Sequence, residues 1–541
     1  MDTHPRTEPR PPRLPTTRVP CRSPLPAGTV LAAGLLVGLA GDLLLRAPGV
    51  PGLDVFLLFL GLALAIVVVS RRTGLVLSRE SVAWLATGVL FGVAIMLRAA
   101  PALQLLTLLA AAAAFALPAL RAGRAWMRGS GVSDPLEAIA GALGYSGLGA
   151  LRMVAEGLSR RSSVRPLETT ERHPVPGVLR GLALGAPFLL VFGALFMSAD
   201  RVFARLVTDL VSVDVEEVAS HVVLTGLLAW LTSGYLVGFL AGTRTRQLLE
   251  GWTPRPTLGI LEVGTALALV DFLFAAFVAV QFRYLFGGSG LVEVTPGLTY
   301  AEYTRQGFAQ LALASALVLP SLLAADWLLR DELPVAKRIF RGLGGLLLLL
   351  LSAVIGSALQ RVWAYQEAYG LTESRFYGVA FLGWLTVLGA WFAVTILRGR
   401  RDRFAVPALM SAFTVVALLL VANPDVWIAR TNLARTGLGS AAVATPAPAT
   451  DRGSATPRPV DAAYLASLSA DAVPTLVGAL PRLPAEARCT LARGLLRRWG
   501  PERRVDWRSW NRSAARARNV VRLESAELRS MVPHAGEGDC S

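Results

Sequence analysis

The residues in this chain with the types and spacing to do chemistry are acids, arginines and tyrosines grouped in a few short segments. Tyr284, Tyr300, Tyr303, Tyr365, Tyr369 and Tyr377 are six of its nine tyrosines. They stand among Arg283, Glu293, Glu302, Arg305, Arg361, Glu367, Glu373 and Arg375. Each group flanks an apolar run, which puts all of them at one membrane depth. Arginines held there could grip a carboxylate or phosphate through paired N–H donors. The candidate residues of such an outward-facing polar cavity are Asp271, Glu302, Arg305, Gln306, Arg361, Tyr365, Glu367 and Arg375. Tyrosine is also the residue of interfacial aromatic belts, and arginine–glutamate pairs can simply tie loops together. A belt should populate both interfaces, whereas these tyrosines crowd one. Both readings stay open.

Asp271 is the deepest ionisable residue, near the middle of the apolar segment 258–286. A carboxylate at such depth costs roughly 2.5 to 3.5 kcal/mol on insertion scales, so it is expected to meet a partner or a cavity and could act as a protonatable gate. Glu262 lies nine residues earlier. Nine residues turn a helix by about 900°, which sends the two acids to opposite faces. Asp42 and Asp326 sit near span ends and are expected to reach interfacial water. Thr299-Tyr-Ala-Glu302 has capping-box spacing, which would start a helix there and align Glu302, Gln306 and Gln310 on one face. Gly370 would end one helix and Thr372 would cap the next.

Other chemistries lack support. Cys21, Cys489 and Cys540 have no metal-ligand spacing, and His4, His173, His221 and His534 form no zinc-binding pair. A disulfide framework, a zinc site and a Cys/His nucleophile are all poorly supported. No cofactor is implied, and paired outward acids without a nucleophile–base set make an enzyme the weakest reading.

The elements that must position these residues are transmembrane helices. Of 541 residues, 54% are hydrophobic, and the mean hydropathy is +0.53. One or two soluble cores could not hide that much apolar surface. About 20 apolar residues cross a bilayer, and each crossing must be helical to satisfy its own backbone. Spans are expected at 28–46, 53–70, 81–98, 101–120, 178–197, 221–241, 258–286, 305–329, 339–361, 375–397 and 403–422. The fold expected is all-α, a polytopic bundle of about 11 spans with a small C-terminal helical appendage.

Arginine sets the direction of the spans. Loops 71–80, 121–177, 242–257, 330–338 and 398–402 are rich in it, whereas 47–52, 287–304 and 362–374 contain no Lys or Arg. The positive-inside rule then gives a cytoplasmic N-terminus and an external C-terminus. Net charge is +16, and Lys337 is the only lysine. The basic residues are scattered beside apolar helices, which is a topology signal, not a nucleic-acid face.

Residues 1–27 read as a basic Pro/Arg-rich tail without a core, and the first span lacks a cleavage pattern. Residues 28–422 form the transmembrane domain. Within loop 121–177, Leu136, Ile139, Leu143, Gly147, Leu151, Val154 and Leu158 suggest an amphipathic helix lying on the inner leaflet. Its glycines, Gly141, Gly144, Gly147 and Gly149, make it too weakly apolar for a partial span. Residues 423–460 are a juxtamembrane segment and linker, and 461–541 a small helical region. There, Pro484 opens a helix, Leu491, Leu495 and Trp499 form its stripe, and Gly500 stops it.

Several segments resemble the uncharacterised bacterial membrane family catalogued as domain of unknown function 4173. They are Gly297–Tyr303 with Gly307-Phe308, Tyr365–Glu373, Asn423–Asp425 with Ala429–Arg435, Asp461–Ser469 and Asp506–Trp510, and the resemblance covers about residues 178–515. It implies a multi-pass protein of the bacterial cytoplasmic membrane and no catalytic residues. The function expected is a transporter or permease. The alternative is a non-transporting sensory or scaffolding protein of the envelope. Its partners would be the lipid bilayer, a small-molecule or lipid ligand, or an envelope protein, and not nucleic acid.

Overall fold

The computed structural model describes residues 27–120, 140–151, 196, 200, 215–241, 258–286, 308–329, 334–435, 460–502, 505–533 and 540. Among these the chain is helical, with a single isolated bridge between Leu258 and Leu329. The first helices are α1 (Ala27–Leu45), α2 (Leu53–Arg72), α3 (Arg79–Leu97), α4 (Pro101–Ala116) and α5 (140–151). Then follow α6 (Val215–Ala241), α7 (Ile260–Phe286), α8 (Phe308–Leu328), α9 (Pro334–Tyr369), α10 (Glu373–Thr395) and α11 (Ala405–Ala422). After them come α12 (Pro424–Arg435), α13 (Ala462–Ser467), α14 (Val473–Ala479), α15 (Ala485–Trp499), α16 (Arg512–Leu523) and α17 (Ser525–Ser530).

Nine of the described helices are long and apolar enough to cross a membrane. The expectation of about 11 spans is not matched one for one. Helix α4 has only 16 residues, because the chain tightens at Pro118 into a 3-10 turn over Leu117–Leu120. Span 178–197, apart from Phe196, lies outside the described residues, as do residues 1–26 of the tail and the capping box at Thr299.

Local sequence explains the helix ends. Ser78 accepts the Ser81 amide at 3.0 Å and starts α3, and Pro101 begins α4 where no amide donor is needed. Gly370, at φ +88°, ends α9 in the left-handed region. With 36 residues α9 would reach about 54 Å, well past the hydrocarbon layer.

Two membrane cores form. In the first, α1 lies antiparallel to α6, and Gly34 and Gly38 bring the backbones together: a Cβ at Gly38 would stand 2.6 Å from the Thr225 carbonyl oxygen. The second is built by α7 to α10 around Leu322, Leu347, Leu382 and Phe392. Helix α11 joins them, with Phe413 packed on Phe91 and Trp84, and Leu419 on Leu103.

Three expectations are corrected here. Helix α5 does not lie flat on a leaflet. It runs along α6, with Tyr145 beside Gly238, Gly149 against Gly234, and the Gly147 carbonyl accepting from Trp230 Nε1 at 2.9 Å. Of its glycines Gly149 sits at the close approach, with Gly234 and Gly238 on α6, whereas a Cβ at Gly144 or Gly147 would meet nothing. Asp42 and Asp326 do not reach out to water: Asp42 pairs with Arg46 (2.7 Å) and His221 (2.5 Å), and Asp326 with Arg401 (2.7 Å). Finally, Cys489 and Cys540 form a disulfide. Two cysteines without a motif gave no spacing signal, and only folding brings their Cα atoms to 5.7 Å.

The C-terminal helices α13 to α17 share one core with α12, around Leu465, Leu476, Leu491, Leu495 and Val521. That core also takes in Ala99 and Leu371, which lie in turns at the ends of membrane helices. The helices therefore form a cap seated on the bundle face that carries turns 46–52, 98–100 and 370–372.

Candidate functional site

The residues singled out from sequence do not all meet. Glu302, Arg305 and Gln306 lie outside the described residues, as does the Glu367 side chain. Arg361 donates to Gln281 Oε1 at 2.5 Å, and Ser357 donates to the same oxygen at 3.3 Å, so this group ties α9 to α7. Arg375 stacks over the Tyr365 ring, 4.0 Å from its centroid, and donates to the Gly370 carbonyl at 2.7 Å. That contact closes the α9–α10 turn. Asp271 is 4% exposed, and neither carboxylate oxygen has a hydrogen-bond partner among the described residues. Gly264 faces Ile339 and Leu343, and Gln281 faces Arg361. That register puts Asp271 at the level of the leucine run Leu346–Leu351 of α9.

A denser polar arrangement lies where the cap meets the bundle. Asn511 caps α16 by accepting the Ala514 amide at 3.1 Å. Its Nδ2 donates to the carbonyls of Pro51 (3.1 Å), Ile95 (2.9 Å) and Arg98 (2.9 Å), which end membrane helices. Asp471 accepts from the Ala99 amide at 2.7 Å and from Ser513 Oγ at 2.6 Å. The backbone amides of Leu53 and Asp54 donate to Trp510 and Arg508. Gly52 is required there, because a Cβ would sit 2.2 Å from the Trp510 oxygen.

Further into the junction, Asp425 in the first turn of α12 is fully buried and accepts the Ser469 amide at 3.0 Å. Burial pushes its carboxyl above the usual range, and the Asp471 carboxylate pushes the same way, against the opposing pull of Ser469 and Arg498. Thr372 occupies the cap position of α10 without capping it; Tyr464 OH instead accepts the Glu373 amide at 3.0 Å. Burial raises the Tyr464 phenol to about 12, so it stays protonated at neutral pH. Arg498 donates through Nη1 to the carbonyls of Ala466 and Leu468, each at 2.8 Å.

Between these parts lies a cleft of about 670 Å³. Glu373, Tyr464, Ser467, Ser469 and Arg498 make its polar wall, and Gln104 adds an amide. Val55, Ile95, Leu105 and Leu108 make its apolar wall. Leu105 and Leu108 are also 56% and 41% exposed, on the side of α4 that would face lipid. The volume suits a small ligand, and the lining suits an amphiphile. No cysteine or histidine lines the cleft, and among the described residues no three side chains are grouped to hold a metal ion.

Sequence reading missed Asn511, Asp471 and Arg498, and met Asp425 only as part of a segment. The segments Tyr365–Glu373, Asn423–Asp425, Asp461–Ser469 and Asp506–Trp510 had stood out, and all of them converge on this junction. Their convergence was the usable signal.

The chain matches the model of the family described as domain of unknown function DUF4153 over residues 85–479. The resemblance to domain of unknown function 4173 is corrected by that match. It rested on short runs of a few residues each, among them tyrosines of a kind that membrane interfaces favour generally. No curated protein and no solved structure matches the chain.

Proposed function

The chain belongs to the DUF4153 family, whose description names no activity, and we propose from its geometry that it binds an amphiphilic small molecule in the cap cleft, as the receiving site of a permease. The carrying observation is the cleft itself, which gathers Glu373, Tyr464 and Arg498 with Leu105 and Leu108 in one lining. A polar wall at headgroup depth beside lipid-facing leucines matches a molecule that partitions into a leaflet.

Two independent features support an extracytoplasmic cap. The described arginine-rich connections 71–80 and 398–402 join the helix ends away from the cap, and the Cys489–Cys540 disulfide suits an oxidising compartment. A bacterial cytoplasmic membrane with an internal N-terminus fits both. The test is extraction and mass analysis of whatever co-purifies with the full chain in mild detergent. Ser467 is exposed at the cleft, so Ser467→Trp should fill the space without disturbing the fold. The wild-type chain should retain an amphiphile stoichiometrically and Ser467→Trp should lose it; equal trace amounts in both would refute the reading.

A scaffolding role has one observation of its own. Trp507 and Trp510 are exposed beside the turn at Pro48–Pro51, where they could meet headgroups or a partner. That role would leave the cleft unoccupied.

A further inference from the structure

We infer that the cleft selects a zwitterionic amphiphile bearing an ammonium group, with Glu373 as the counter-ion of that ammonium. The inference rests on the cleft being a ligand site and adds the class of ligand. Glu373 stands in the first turn of α10 on the cleft wall, half-buried. Its backbone amide is engaged by Tyr464 OH at 3.0 Å, which fixes where the side chain starts. Among the described residues its carboxylate accepts no hydrogen bond and forms no ion pair. A partly desolvated carboxylate in that state gains from a cation or a strong donor, and the cleft is the open space in front of it.

The remaining lining narrows the cation. Arg498 is anchored through Nη1 to Ala466 and Leu468, which places a guanidinium in the cleft lining near enough to Glu373 to act on its charge. The lining thus offers a negative and a positive group together, the complement of an ammonium joined to a phosphate. An anionic headgroup without an ammonium would set a second negative charge before Glu373, whose carboxylate already feels Asp425, with Arg498 offsetting only in part. Leu105 and Leu108 lie about one turn apart on α4, line the cleft and are exposed toward lipid. They give an acyl chain a way out into the leaflet, which a water-soluble zwitterion would not use.

The experiment uses the full chain, stripped of lipid in detergent, and native mass spectrometry. The probes are lysophosphatidylethanolamine and lysophosphatidylglycerol of the same acyl length, and free phosphoethanolamine. The ethanolamine lysolipid should be retained about tenfold more tightly than the glycerol one, a difference of about 1.4 kcal/mol. Free phosphoethanolamine should not be retained, and Glu373→Gln should erase the preference. Equal retention of both lysolipids, or a preference unchanged in Glu373→Gln, overturns the inference and leaves the cleft as a ligand site. Retention of neither lysolipid overturns the site as well. Should Glu373→Gln fail to fold, the wild-type preference alone decides.

Discussion

The carboxylate of Asp471 accepts a hydrogen bond from the backbone amide of Ala99 at 2.7 Å, across 372 residues of sequence. Asp471 opens the cap segment before α14, and Ala99 lies in the turn between two membrane helices. The bond therefore locks one wall of the cleft to the other. Asn511 makes a parallel link from α16 to the same turn. The cap is part of the membrane bundle's surface, with its own core continued onto it.

Asn511→Ala should loosen that link. It removes the cap of α16 and a buried donor shared by three carbonyls. The expected cost is about 2–3 kcal/mol, read as a lower thermal midpoint in detergent and faster amide exchange at Leu53 and Ala99. Unchanged exchange at both amides would refute the link.

Asp425 predicts a pH dependence. Its folded pKa is raised, chiefly by burial, so folding favours the neutral acid. The stabilising contribution is complete below the ordinary aspartate value of about 3.9 and is lost as pH rises through the raised folded value. Thermal stability of the junction should fall as pH rises across that window. Asp425→Asn should flatten the curve; an identical slope in the variant would assign the effect elsewhere.

Asp271 was expected to have a partner, and the described residues provide none. Buried with no hydrogen-bond partner among the described residues, the carboxyl loses hydration without recompense. Asp271→Leu should therefore raise the stability of the chain by about 1–3 kcal/mol, measured as a thermal midpoint. A clear drop, restored by Asp271→Asn, would reveal a hydrogen-bonding partner.

The disulfide changes how the cap is labelled. From sequence alone, an impermeant maleimide on spheroplasts would modify Cys489 or Cys540 directly and spare Cys21. With the two joined, labelling should require an impermeant reductant first. Labelling without reduction would contradict the bond, and protection even after reduction would place the cap in the cytoplasm.

Much of the helix pattern was legible because each helix carries its own evidence. Leu491, Leu495 and Trp499 recur on one face of α15, and all three are buried in the cap core. Gly370 ends α9 where its freedom at positive φ is needed. What lay beyond sequence was partnership. A spacing shows that Asn511 can cap a helix, but not that its other donor reaches Ile95 and Arg98. Likewise, Thr372 has the right type to cap α10, yet its hydroxyl accepts no cap amide, and Tyr464 from a distant segment accepts the first-turn amide of Glu373. The tyrosines and arginines of α9 and α10 include Tyr365 and Arg375, which meet at the α9–α10 turn. Lateral position around the bundle leaves no trace in hydropathy.

The central claim is that the cap cleft holds an amphiphile, and an electron cryomicroscopy map of the full chain in lipid nanodiscs tests it most directly. The account predicts elongated density with its head between Glu373 and Arg498 and its tail along Leu105 and Leu108. A cleft collapsed onto its own side chains, or one holding only solvent, would contradict it.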